Sequence, residues 1–122
     1  MHKHDITKLA QFAHEVNASY CRFIGDFTQD PWAFAPRWQK DSAIAGVQFL
    51  LDNPEATPAD THESWLSVKE ADGWVYGEEK DADKKTHPCM VPYDQLSAEQ
   101  RAKDLIYLTV VRTGIDLMNS YA

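Results

Sequence analysis

The chain has 122 residues with 12 Lys/Arg against 19 Asp/Glu, a formal charge of −7 at neutral pH, and 43% apolar and 25% charged residues. That length suits one domain (1–122) that hides roughly two-thirds of its unfolded surface, and the composition is globular rather than disordered. An acidic domain is repelled by phosphate backbones and anionic lipid, so nucleic acid and membrane surfaces are excluded as default partners.

The opening MHKHDITKLAQ lacks the apolar core and small-residue cleavage site of a signal peptide. The longest apolar runs, Leu105–Leu108 among them, are far short of the ~20 residues a membrane span needs. Cys21 and Cys89 lie far apart and in no CxxC arrangement, which suits two reduced thiols in a cytoplasmic protein.

Taken in order, Asp5 is placed to cap a first helix over about 6–24, with Ile6, Leu9, Ala13, Val16, Tyr20 and Phe23 forming one apolar stripe and Gly25 a natural stop. His14 and Cys21 share a side of that helix, too few ligands for a metal. Phe27–Pro36 is an aromatic-rich connection interrupted by Pro31 and Pro36, in which Trp32 and Phe34 are expected to cover one end of the core. A second helix is predicted from about Pro36 to Asp52, with Ile44, Val47 and Leu51 in a stripe widened by Phe49 and Leu50. Gly46 inside it costs about 1 kcal/mol relative to Ala, which close approach of another backbone would explain.

Asp60 and Glu63 read as a capping-box variant opening a third helix that Asp72-Gly73 ends. His62, Trp65 and Lys69 fall on one face of it. Trp74–Glu79 is predicted as a short strand, with Trp74, Tyr76 and Glu78 on one side. Lys80–Lys85 reads as a charged, solvated turn, and Pro88 and Pro92 force an extended segment. Ser97 and Gln100 form a second capping box. It opens a long last helix whose apolar face is read as Ala102, Leu105, Ile106, Thr109, Val110 and Leu117.

The stretch from His62 to Asp104 concentrates the chemistry. Residues 60–104 hold six Lys/Arg against eleven Asp/Glu, so an anion bound there needs a local cationic cluster working against the field of the chain. Cys89 near His87 is not marked as an activated nucleophile, and the neighbours His62 and Glu63 give only a weak acid–base pair. Asp81 and Asp83 fail the calcium-loop pattern, because Thr86 and Pro92 stand where Gly and Glu are required. His62, His87 and Cys89 lack a fourth zinc ligand, and no glycine-rich phosphate loop is present. Neither a metal nor a cofactor is expected. What remains is a recognition surface: Trp65, Trp74, Tyr76 and Tyr93 suited to stack on a flat ring, Lys69, Lys84, Lys85, His87 and Arg101 suited to meet phosphates. From the residues alone, the plainer arrangement has the tryptophans in the core and the lysines solvated.

The same stretch resembles the RyR domain, the repeat unit of ryanodine receptors that also occurs as small stand-alone bacterial and phage proteins. The residues that carry the resemblance are His62, Trp65, Lys69, Gly73-Trp74-Val75-Tyr76-Gly77, Lys85, His87-Pro88, Val91-Pro92-Tyr93, Leu96 and Lys103-Asp104. It covers about 60–107, with residues 5–53 as an N-terminal helical part. Met90 stands where leucine or a similar residue is expected. The resemblance implies a mainly α domain of about four helices with a small β element, no channel activity, and a homodimer in place of the receptors' tandem pairs. It further implies a non-catalytic module in nucleotide-linked signalling or phage–host conflict. Its ligand would be small, anionic and ring-containing, in contact with His62, Trp65, Lys69, Trp74, Tyr76, Lys85, His87, Tyr93 and Arg101. The alternative is a protein-interaction or assembly module with no small ligand.

Overall fold

The computed structural model describes residues 1–120, and within them four helices account for most of the chain. Helix α1 spans Lys3–Phe23, three residues earlier than the pattern suggests, because the His2 carbonyl accepts from the N–H groups of Asp5 and Ile6. Asp5 thus sits in the first turn, where its charge suits the helix dipole, rather than at the cap. Gly25, at φ +92°, ends the helix as expected, with the Asp26 N–H returning to the Cys21 carbonyl at 2.8 Å.

The inward face of α1 is Ile6, Leu9, Ala10, Ala13, Ala18 and Cys21. Its small residues let neighbouring helices come close, while Phe23, assigned to the stripe from sequence, is 88% exposed. The segment to Pro36 is sewn back onto α1. The Trp32 N–H donates to Glu15 Oε1 at 2.6 Å, and His14 Nε2 bonds the Asp30 carbonyl at 2.6 Å. A single 3-10 turn at Trp32–Phe34 directs Trp32 and Ala35 inward and leaves Phe34 exposed, so only the tryptophan covers the core.

Helix α2 spans Arg37–Asp52 with Pro36 as its N-cap residue, and Val47 and Leu50 are its deepest side chains. Helix α3 spans Pro58–Ala71. Its capping box is Thr57 with Asp60, three residues before the expected pair, and Pro58 follows the cap in the first turn. That shift frees Glu63, whose Oε1 accepts from the Tyr93 N–H at 3.1 Å.

Strands β1 (Val75–Tyr76) and β2 (Thr86–His87) pair in parallel, Val75 with Thr86 and Tyr76 with His87. The ladder is two residues long, not six. Trp74 is buried at 4% exposure while Tyr76 is 56% exposed, so the two do not share a face. The connecting loop is closed by the Asp81 carboxylate, which accepts from the N–H groups of Asp83 and Lys84. Helix α4 spans Ala98–Ser120 and begins with the reciprocal Ser97–Gln100 capping box read from the sequence. It turns Leu108 and Val111 fully inward, supported by Tyr107, Val110, Ile115 and Met118, and leaves Leu105 and Leu117 exposed. The apolar face is therefore rotated from the one read off the sequence. Among the described residues, no helix is long and apolar enough to cross a membrane.

Two apolar clusters result. The main core joins α1, α2 and α4 around Val47 and Val111. A second, built by the central motif, gathers Leu66, Trp74 and Met90 under Trp38 and Trp65. Gly46 meets the phenol of Tyr107, a side chain rather than a backbone; the Tyr107 hydroxyl donates to the Ala43 carbonyl. Gly114 is tighter still, since a Cβ there would lie 2.3 Å from Leu9 Cδ2. Gly114→Ala should therefore destabilise the protein by about 1–3 kcal/mol through overpacking, despite gaining up to about 1 kcal/mol of helix propensity. Urea denaturation that finds the variant as stable as the parent would contradict this packing.

Candidate functional site: a cavity between the four helices

The motif GWVYG has a physical reason at each position. Gly73 takes φ +89° to end α3, and the Trp74 N–H closes back on the Lys69 carbonyl at 2.9 Å. Trp74 then drops into the second cluster, and Val75 and Tyr76 pair with β2. A Cβ on Gly77 would lie 2.5 Å from Thr86 Cβ, so only glycine fits there. Lys85, at φ +55°, turns its ammonium onto the Asp72 carbonyl at 2.7 Å and ties the loop to the end of α3.

The extended segment after β2 is anchored to α3 by polar contacts. His62, only 3% exposed, donates from Nε2 to the Val91 carbonyl at 2.7 Å; a carbonyl only accepts, so Nε2 bears a proton. The Cys89 N–H donates to His87 Nδ1 at 3.0 Å, so the neutral His87 ring carries its proton on Nε2.

These placements create an unbroken series of aromatic rings. Trp38 meets Trp74 at 5.0 Å between centroids, Trp74 meets His87 at 6.4 Å, His87 meets Trp65 at 5.0 Å, Trp65 meets His62 at 5.6 Å, and His62 meets Tyr93 at 6.1 Å. Beside this series is a cavity of about 280 Å³. Helix α1 lines it with His14, Asn17 and Cys21, α2 with Trp38, Ala43, Gly46 and Phe49, and α3 with His62 and Trp65. The loop and β2 supply Lys80, His87 and Cys89, and α4 supplies Lys103, Asp104 and Tyr107.

The structure thus brings His62, Trp65 and His87 of the expected residues together on the cavity wall. Trp74 stands behind His87 within the core. Lys69 is buried at 4% exposure, its ammonium 4.7 Å from the Trp38 ring and 5.2 Å from Trp74. It is held by indoles rather than offered to a ligand. Tyr93 packs on the far side of His62, while Lys85 is engaged with Asp72, and Tyr76 and Arg101 are exposed away from the cavity. Trp38, Asn17, Lys80 and Asp104 were not singled out as site residues by the sequence, although Lys103-Asp104 lay among the matched motif positions.

The electrostatics are unusual for an acidic chain. Asp104 is the one carboxylate in the lining, against two lysines. Burial pushes it up to about 6, opposed by His62, whose Nδ1 is 3.7 Å away, and by Lys103. Lys80 is exposed yet lines the cavity, and desolvation followed by the Lys103 charge holds its pKa below the ordinary lysine value. The thiols of Cys21 and Cys89 are both raised by burial. Burial, then Lys80, Lys103 and Lys69, lower His87 to about 4. Among the described residues, no group of three or more His, Cys, Asp or Glu is placed to hold a metal.

A mainly helical protein in which a short strand–loop–strand unit closes one side of a helix packing is the class defined by this fold. The family model of the RyR domain matches residues 50–116, more than half of the chain. The chain belongs to the RyR-domain family. The match reaches beyond the 60–107 stretch at both ends, taking in the end of α2 and most of α4.

The state of His87 carries a pH dependence. Between pH 6.5 and about 4 the unfolded chain takes up a proton that the folded chain refuses, so stability present above pH 6.5 is lost as pH falls. Asp104 acts with the opposite sign over about 4 to 6, because its raised pKa favours the folded state as it protonates. His87→Asn keeps an acceptor at the position of Nδ1 for the Cys89 N–H and removes the first effect. On moving from pH 7 to pH 4.5 the variant should lose on the order of 2 kcal/mol less stability than the parent, and equal losses in chemical denaturation would refute the neutral buried imidazole.

Proposed function

We propose that this RyR-type protein is a non-catalytic binding module whose inter-helix cavity takes a small, anionic, ring-containing ligand of nucleotide type, in a signalling or phage–host conflict setting. The observation that carries the reading is the combination in one wall of indole and imidazole rings with Lys80 and Lys103. Flat rings suit stacking and the ammonium groups suit an anion, within a cavity close to the lower end of the range for small-molecule sites. A binding role is favoured over catalysis by the raised thiols of Cys21 and Cys89 and by His87, whose acceptor nitrogen is already occupied. A base and nucleophile within reach of each other are what such chemistry needs.

A second reading, an assembly or protein-interaction module that includes a homodimer, is favoured by one observation. Phe23, Phe27 and Phe34, close in sequence, are all largely exposed, and exposed apolar surface is a mark of interfaces. The two readings separate in a thermal-shift panel of nucleotides, cyclic dinucleotides and ADP-ribose derivatives. A ligand at 100 times its dissociation constant adds about 2.7 kcal/mol, which for a domain of this size raises melting by about ten degrees. A flat panel together with a dimer in light scattering would replace the first reading by the second.

A further inference from the structure

We propose that the cavity is built for a ligand with one ring system and one phosphate-sized anion, a nucleoside monophosphate in size and charge, with the anion seated between Lys80 and Lys103. This rests on the reading of the cavity as a ligand site and adds where the charge sits and how large the ligand is.

Three observations place the anion. No carboxylate among the described residues lies within 4.0 Å of the Lys80 ammonium, which has only the Trp38 ring, at 5.3 Å, as a cation–π partner. Lys103 has a carboxylate partner only at 3.9 Å, Asp26 Oδ2, which is beyond hydrogen-bond reach. The two lysines line the same cavity, and the Lys103 charge disfavours that of Lys80, so an anion shared between them relieves that repulsion. His87 completes the seat. Its Nδ1 is held by Cys89 N–H, so Nε2 bears the proton, and among the described residues no protein group takes it. Because His87 stays neutral down to about 4, this donor does not change through the neutral range.

The ring and the size follow from the rest of the wall. Trp38 and Trp65 offer indole surface, with Phe49 and Leu96 closing the apolar side. A volume of about 280 Å³ accommodates one base and sugar with a small anion. A second nucleoside would have to extend beyond this volume, since sites for small molecules run from roughly 300 to 1,000 Å³.

The test is isothermal titration calorimetry on the whole chain with four ribonucleoside 5′-monophosphates, the matching nucleosides, a cyclic dinucleotide and ADP-ribose. The expected result is that at least one monophosphate binds, its nucleoside binds about tenfold or more weakly, and the two larger probes bind no tighter than the monophosphate. Lys80→Met and Lys103→Met should each weaken the monophosphate by about tenfold or more, as loss of a charge-assisted contact does, and leave the nucleoside unaffected. Lys80→Arg should restore most of the affinity. Lys80 is exposed, so its variants keep the fold, which circular dichroism checks. Tight binding of a dinucleotide or of ADP-ribose without any monophosphate would overturn the size limit while keeping the cavity as a ligand site. Monophosphate binding indifferent to both lysines would overturn the seat on the same terms. Binding of none of the probes would remove the underlying reading and this inference with it.

Discussion

The structure turns on how Trp74 is seated. A large indole is buried at the point where α3 ends, and three separate constraints hold it there: a left-handed glycine before it, a glycine after β1 that leaves space for Thr86, and the Lys69 ammonium lodged against its ring. From that position it touches Trp38 on α2 and His87 on β2. The second apolar cluster and one wall of the cavity therefore share the same anchor. Burying such a ring contributes on the order of 2–3 kcal/mol. Its larger effect is geometric, because it fixes the angle at which the loop bearing Lys80 leaves α3.

The cavity also shows how an acidic chain can keep a positive interior. The excess carboxylates are spent on turns and helix ends: Asp81 closes the loop, Asp60 completes a cap, Asp26 binds Thr28, and Glu63 holds the Tyr93 amide. Each is satisfied by backbone or hydroxyl donors where it sits. Asp104 is the exception, and burial answers by raising its pKa rather than by supplying a close partner. The long-range field of the chain remains negative, whereas the short-range balance in the cavity does not, and short-range interactions dominate at about 8–10 Å screening lengths.

Much of the fold was legible because it is written in local signals. Gly25, Gly73 and the Ser97–Gln100 box mark helix ends by backbone chemistry that needs no tertiary context. His62, Trp65 and Lys69 share an inward face as their spacing requires. The failures have equally particular causes. Thr57 with Pro58 outcompeted Asp60 for the cap, because the proline sets the first-turn dihedral. Strand alternation failed at Trp74 and Tyr76 because the ladder begins one residue after the tryptophan. In the cavity, a large share of the lining comes from α1 and α2, and no periodicity in the His62–Asp104 stretch can announce Trp38 or Asn17. Lys80, within a charged run, carries no sign that its loop folds over a cavity. The Lys103-Asp104 pair was visible as a motif, but not what it faces.

The division of the cavity wall between two stretches of chain sets where the cavity can vary. Residues 50–116 carry the family pattern and hold Trp65, Lys80, His87 and Lys103, whereas Asn17, Cys21 and Trp38 lie outside it. The motif residues are bound by the demands of the strand–loop–strand unit and cannot drift without loosening Trp74. On α1 and α2, Trp38 is tied to Trp74, while Asn17, among the described residues, makes no hydrogen bond to the strand–loop–strand unit and lines the cavity. The lining of the cavity from α1 can therefore change in shape and polarity without loosening Trp74, while the half supplied by the strand–loop–strand unit keeps its form.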